Sequence, residues 1–339
     1  MPPLVSIIVP NYKHARFLPQ RLDSILAQTF KDYELIVLDD ASPDNSRDFI
    51  QSYAAKVPMR VFFNEKNTGC PFIQWQKGVA LAVGKYLWIA ESDDYADPRL
   101  LATLVAELQK NPQVGLAYCQ SSSVDENGKF LRKLDYWTEV FETDRWSRSH
   151  VNNGKDEIAR YLIVRNIIPN ASGVVVRRDV FVEAVQGAEK FRRAGDWWTW
   201  ARVLLQSDVA YVAEPLNFFR AHGCSVRDTT KHSVAALEDF SVMAHICLRV
   251  QIPIAMRRYA LREAMYFWSK YFTWANFQPS PEFWREVCDH AQNMVPNAAF
   301  EIAWFRTKRS LLQINFFAAT VRRIKNIFGS SNKLPVEKP

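Results

Sequence analysis

Glu91-Ser92-Asp93-Asp94 places three carboxylates within four positions, directly after the apolar run Leu87-Trp88-Ile89-Ala90. Crowded carboxylates repel one another unless a cation sits between them, and hard oxygen donors suit Mg²⁺ or Mn²⁺. The chemistry expected of Asp93 and Asp94 is therefore a metal site of the kind that holds a phosphate. The structural alternative is a solvated acidic loop capping the next helix. Asp97 and Pro98 suit that job, as N-cap and first helical residue. A further carboxylate, Asp196, follows Gly195 at the head of an amphipathic run through Leu205, where the plainest role is again an N-cap.

These residues need elements to position them. Leu4 to Pro10 is a short β-branched run with no polar face, as expected of a strand buried on both sides of a parallel sheet. A helical pattern over Phe17 to Ala27 leads to a second such strand, Tyr33 to Leu38, which closes on Asp39-Asp40. A helix through Tyr53, a strand from Met59 to Phe63, the loop Asn64 to Pro71 and a helix around Trp75 to Ala82 precede the strand that ends in the acidic cluster. Alternation at this spacing predicts a doubly wound α/β sheet, which binds ligands at the carboxyl ends of its strands. Pro10-Asn11-Tyr12, Asp39-Asp40 and Glu91 to Asp94 would then line one crevice. Neither G-x-G-x-x-G nor G-x-x-x-x-G-K-[ST] occurs, so any phosphate must be held by metal and side chains.

Composition narrows the setting. With 339 residues and 48% apolar content, the chain can bury a large core and carry an appendage. Its five cysteines are scattered without a C-x-x-C pair, which fits a reducing compartment rather than disulfides or zinc. Met1-Pro2-Pro3 runs straight into the first strand pattern, so no signal peptide is expected, and the uncharged stretch Ser310 to Val321 is too short to span a bilayer. The net charge of +7 is local: from Ile302 to Pro339 eight basic residues face one acid, leaving the rest formally neutral. Such a distribution argues against nucleic acid. It favours an anionic surface at one end, as Leu311 to Phe328 has the make-up of a helix that lies in an anionic membrane interface or docks on a partner, before a disordered end from Ser330.

Val5 to Tyr12, Leu26 to Ser42 and Gly78 to Asp94 resemble, in order and spacing, the nucleotide-sugar-binding half of inverting family-2 glycosyltransferases of the GT-A fold. The resemblance implies that Pro10, Tyr12 and Asp40 hold the nucleobase, and that Glu91, Asp93 and Asp94 hold the ribose and the diphosphate-bound metal. It makes Asp196 the base that accepts the acceptor hydroxyl's proton, within an aromatic wall that excludes water. Arg220-Ala221-His222, with Ser225, resembles the family's Arg-x-His-x-x-Ser segment, which implies that His222 completes the metal shell or closes over the diphosphate. Two departures stand out: Glu91 where the family usually has Asp, and Trp75 where it often has Arg. Lys77 is either a substitute for that Arg or a solvated helix lysine. His14, His150, His232, His245 and His290 have no such context and are assigned no role.

The expected organisation is a GT-A domain over 1–230, with a nucleotide-sugar half (1–121) and an acceptor and catalytic half (122–230), followed by a helical C-terminal region (231–339). The aperiodic stretch Asp125 to Asn153, with Tyr136, Trp137, Phe141 and Trp146, either faces the acceptor or packs beneath a long loop. Trp268, Tyr271, Phe272 and Trp274 are expected to pack helices. The resemblance implies an Mn²⁺- or Mg²⁺-dependent inverting transferase, moving a sugar from a nucleotide-diphosphate donor to a glycan or lipid-linked glycan in lipopolysaccharide or capsule synthesis. It would be cytoplasmic, or peripheral on the inner face of the membrane, and would have no nucleic-acid partner. Two rivals remain open: a sugar-phosphate nucleotidyltransferase and an inactive nucleotide-sugar or glycan-binding module.

Overall fold

The computed structural model describes residues 2–307 except 142, 224 and 226–228. Its strands are β1 (Val5–Asn11), β2 (Tyr33–Asp39), β3 (Arg60–Phe63), β4 (Tyr86–Ile89), β5 (Tyr95–Ala96), β6 (Val114–Val124), β7 (Phe130–Lys133), β8 (His150–Asn152), β9 (Val174–Arg177) and β10 (Asp208–Arg220). They form one ten-stranded sheet in the order β3-β2-β1-β4-β9-β6-β10-β5, with β7 paired to β6 and β8 to β10. From β3 to β4 all pairs are parallel. Strand β9 is antiparallel to both β4 and β6, and β10 runs parallel to β6. The sheet is thus parallel where the sequence alternates strand and helix, and mixed beyond it.

The parallel strands are apolar throughout because both faces are covered. In β1, Val5, Ile7 and Val9 join the core under α1 (Leu18–Leu26) and, beyond α2 (Ser46–Ala54), under α4 (Leu100–Lys110). Ile8 points into the opposite core with Trp75 and Val79 of α3 (Pro71–Leu81). That helix lies so close to β1 that a Cβ on Gly78 would stand 2.4 Å from Ile8 Cγ2, so only glycine fits there.

Next come α5 (Gly154–Glu157), continued as a π-helix over Ile158–Leu162, then α6 (Arg178–Ala184) and α7 (Gly195–Leu204). Past β10 the chain is helical: α8 (His232–Arg249), α9 (Ile254–Trp274), α10 (Pro281–Gln292) and a last helix over 298–307. Phe240, Met243, Leu261 and Trp268 of these helices bury into the same core as Trp200 of α7. No helix among the described residues is long and apolar enough to cross a membrane. The basic amphipathic segment and the end expected to be disordered lie outside the described residues.

Two local expectations change. Helix α4 begins at Leu100 with Arg99 as its N-cap residue, so Asp97 is not the cap. The Asp97 backbone is fixed to the sheet, its N–H donating to Leu216 O at 2.8 Å and its carbonyl accepting from Gln28 Nε2 at 2.8 Å, and its carboxylate instead accepts from Arg99 N at 2.9 Å. The stretch from Asp125 to Asn153 resolves into β7, β8 and three 3-10 turns. Within it Trp146 is core, its indole N–H donating to the buried Tyr118 hydroxyl at 3.0 Å.

Candidate donor and catalytic site

A cavity of about 470 Å³ opens at the carboxyl ends of β1, β2 and β4. Pro10, Tyr12, Asp40, Glu91, Asp93, Asp94 and Asp196 all line it. The chain leaves β1 and β2 through left-handed residues, Lys13 at φ 60° and Ala41 at φ 57°, a strain typical of sites where backbone direction matters. Tyr12 keeps 37% of its surface exposed at the mouth. Asp39 braces the strand ends, accepting from Asn11 Nδ2 at 2.7 Å and Ser42 N at 3.0 Å.

Asp40 is held by the protein itself. Its Oδ1 accepts from Asn64 Nδ2 at 2.6 Å and Gln74 Nε2 at 3.0 Å, and its Oδ2 from the Thr68 hydroxyl at 2.7 Å and the Thr68 amide at 3.0 Å. It therefore ties the loop after β3 to α3 and shapes the cavity wall. Lys77 donates to Asn64 Oδ1 rather than reaching into the cavity, so it does not stand where the family's Arg would.

The acidic cluster divides into distinct parts. Asp93 Oδ2 lies 2.9 Å from His222 Nε2, and the His14 ring is edge-on to His222 with centroids 5.3 Å apart. One ligand atom from each of His14, Asp93 and His222 lies within 4.8 Å of the others, a group able to hold a metal ion. Its donors, one carboxylate and two imidazoles, fit a divalent transition cation better than Mg²⁺, which prefers oxygen. His222 is buried, and its Nδ1 has no partner among the described residues. Burial disfavours the charged Asp93 carboxylate, yet the His14 and His222 imidazoles hold its pKa below the usual range. Burial lowers the His14 pKa, which favours the neutral form that ligates metal.

Asp94 does not join this group. It is 2% exposed, and both its oxygens are taken: Oδ1 by Arg220 N at 2.9 Å and Oδ2 by Asn170 Nδ2 at 3.0 Å. Burial and the neighbouring Asp93 push its pKa up. Beneath the cluster lies Arg21, fully buried, donating from Nε to Glu91 O at 2.8 Å and from the guanidinium to Ser172 Oγ at 3.1 Å. Arg220 is likewise buried and donates from Nε to Asp93 O at 2.7 Å. Two buried guanidiniums thus offset the carboxylates, which unpaired would be costly to bury.

The two departures from the family pattern are partners. Trp75 Nε1 donates to Glu91 Oε1 at 2.8 Å, and the indole is locked by Phe72 and Trp200 at centroid distances of 5.0 and 5.9 Å. The glutamate, one methylene longer than aspartate, meets a neutral indole donor rather than a charged one. Burial, then Asp93, pushes the Glu91 pKa from 4.5 up to about 8. A folded-state pKa above the unfolded one stabilises fully below the unfolded value and is lost as pH rises toward the folded value. Glu91→Gln should therefore flatten the fall in Tm of the metal-free protein between pH 4.5 and about 8. An unchanged slope in a pH series of thermal melts contradicts a protonated Glu91.

Asp196 sits in the first turn of α7, whose N-cap residue is Ala194, so the carboxylate is not the N-cap expected of the plain reading. Gly195 allows this placement, since a Cβ there would lie 2.5 Å from the Phe72 ring and 2.8 Å from Ala188 O. Asp196 Oδ1 accepts from Trp197 N at 2.6 Å and Oδ2 from Asn166 Nδ2 at 3.1 Å, which orients the group. Pro169, Arg193 and Asp196 also line a second cavity, so Asp196 stands where the two meet.

Of the residues given a donor, metal or catalytic role in the sequence, all but His222 line the first cavity, and His222 joins it through Asp93. Sequence reasoning missed His14, Arg21 and Asn170. His14 follows a strand end by three positions, and Arg21 interrupts the apolar face Leu18, Leu22, Ile25; both are signals available in the sequence. Asn170 carries none.

A parallel β3-β2-β1-β4 half with an acidic cluster at its strand ends, continued by a mixed half that carries a carboxylate at a helix start, defines a GT-A glycosyltransferase fold. Solved structures agree. TarS of S. aureus in complex with UDP-GlcNAc aligns with a TM-score of 0.65 at 15% identity, over 87% of this chain and 82% of that one. The mannosyltransferase PcManGT of Pyrobaculum calidifontis, in complex with GDP-Man and Mn²⁺, aligns at 0.53 and 14% identity, over 98% and 89%. The chain belongs to glycosyl transferase family 2, whose model matches residues 6–180, just over half of its length. An uncharacterised glycosyltransferase of Nostoc sp. is 28% identical over 232 residues, 65% of this chain. The matched region is 66% of that relative, just under two thirds of its length.

Proposed function

We propose that the chain is a metal-dependent inverting glycosyltransferase, moving a sugar from a nucleoside-diphosphate donor to a hydroxyl of a glycan. The observation that carries this reading is the position of Asp196, shared between the strand-end cavity lined by His14 and Asp93, the latter bonded to His222, and a second cavity. In single displacement the acceptor oxygen attacks the anomeric carbon, the bond to the diphosphate breaks with its electron pair, and the acceptor proton passes to Asp196. A cation held by His14, Asp93 and His222 would neutralise charge on the leaving diphosphate. Pro10 and Tyr12 flank the nucleobase, with Asp40 shaping that wall through Thr68 and Gln74. Glu91, gripped by Trp75, faces the ribose. The buried Trp75 and Trp197, one in the wall of each cavity, keep water from the anomeric carbon.

Two relatives in fold are named with bound nucleotide sugars, one of them with Mn²⁺, which supports the donor class and the metal. The acceptor is proposed to be a growing cell-surface glycan carried on lipid, as in lipopolysaccharide or capsule. The surplus of basic residues after 302 supports a place at an anionic membrane face. Incubating the protein with a panel of nucleotide sugars and Mn²⁺ tests the reaction class. Release of nucleoside diphosphate that stops with EDTA is the expected result. Formation of pyrophosphate from a sugar phosphate and a nucleoside triphosphate would replace the proposal with a nucleotidyltransferase, and tight binding without turnover would replace it with a binding module.

A further inference from the structure

The second cavity, about 670 Å³ and within the ~300–1,000 Å³ of ordinary small-molecule sites, is walled by parts of the chain far apart in sequence. One wall is the turn bearing Tyr136 and Trp137; the other is α9, from the C-terminal helical region. On α9, Phe267, Lys270, Tyr271 and Trp274 recur at three- and four-residue spacing, so they share one face. Phe267 is 45% exposed and Trp274 68%, whereas Trp268 and Phe272 are buried. The expectation that all these aromatics pack helices therefore holds for Trp268 and Phe272 and fails for Trp274. Exposed rings gathered on one face beside a cavity are costly to leave in water and mark a binding surface.

The rings are held ready. Trp137 Nε1 donates to Asn166 O at 2.6 Å, and Arg165, which donates to Trp137 O at 2.9 Å, lies 5.7 Å from the Trp137 ring and 5.8 Å from that of Phe267. Tyr271 stacks near Phe267 at 6.2 Å with an angle of 17° between rings. The charges around them balance: Arg165, Arg193 and Lys270 face Asp196, Asp239 and Glu263, and Arg193 is paired with Asp239, whose other oxygen accepts from Trp268 Nε1 at 3.1 Å. A wall with no net charge gives an anion no advantage. Flat aromatic faces with polar groups between them match a molecule with apolar faces and a polar rim, which is the chemistry of an uncharged sugar.

We propose that this cavity binds an uncharged oligosaccharide, the acceptor whose hydroxyl Asp196 deprotonates, and that α9 selects it. This rests on the reading of Asp196 as base. Pro169 and Arg193, the other residues common to both cavities, frame the opening through which the acceptor hydroxyl meets the donor. The C-terminal helices are then part of the acceptor site rather than an appendage.

The test uses the full chain and follows tryptophan fluorescence during titration with neutral oligosaccharides of two to four sugars, built from glucose, galactose, mannose or N-acetylglucosamine, and with acidic oligogalacturonates. Binding of Mn²⁺ with UDP or GDP is measured in parallel. The expected result is saturable binding of at least one neutral series, weakened about tenfold or more in both Trp274→Ala and Phe267→Ala, with nucleotide binding unchanged. Both side chains are exposed and lie outside the buried core, so neither change opens it. No neutral binding, tighter binding of the acidic series, or binding indifferent to both substitutions overturns the proposal. Loss of nucleotide binding in the wild-type protein would instead overturn the donor-site reading on which it rests.

Discussion

Asp196→Asn should cut turnover by ~10²–10⁴-fold, the usual contribution of a positioned general base, while Mn²⁺-dependent nucleotide-diphosphate binding stays at the wild-type level. The substitution is nearly isosteric, and an amide oxygen at Oδ1 still accepts from Trp197 N, so α7 keeps its start. What is lost is the proposed proton acceptor at the junction of the two cavities. A fall in kcat and in kcat/KM for acceptor, without a change in donor affinity, separates this role from a structural one. Turnover near the wild-type rate would remove Asp196 from the chemistry.

Asp93→Asn and Asp94→Asn should behave differently although the residues are adjacent. Asp93 belongs to the histidine-carboxylate group, so its loss should weaken Mn²⁺-dependent nucleotide binding on the order of 100-fold and abolish the dependence on metal. Asp94 instead receives Arg220 N and Asn170 Nδ2, and an amide there sets one N–H donor against another. Asp94→Asn should therefore lower stability by about 1–3 kcal/mol, the cost of a buried unsatisfied group, and leave the metal dependence in place. Calorimetric titration of Mn²⁺ and nucleotide, beside thermal melts of each variant, distinguishes the two. Equal loss of metal dependence in both would place Asp94 in the metal shell after all.

What the sequence could show was local. The β-branched runs with no polar face marked strands covered on both sides, and their abrupt polar ends marked one cavity, because in a parallel sheet all such ends lie together. Asp39, Asp40 and Glu91 to Asp94 were legible for that reason. The division of labour within the cluster was not, since it depends on which donors reach each oxygen from residues 170 and 220. Trp75 and Glu91 each read as an isolated departure; only their 2.8 Å contact shows that one accommodates the other. His14 lacked the Arg-and-Ser context that singled out His222, yet folding brings both rings to Asp93. Trp274 has the spacing of a packing residue, and only its exposure beside Tyr271 shows that it lies outside the core.

The most direct test is the anomeric configuration of the product, read from proton coupling constants by NMR after transfer from an α-linked nucleotide sugar in the presence of Mn²⁺. With Asp196 as the proposed base at the meeting point of the two cavities, the reaction is a single displacement, so a β-linked product is the expected result. An α-linked product would require a different mechanism and would contradict the role given to Asp196.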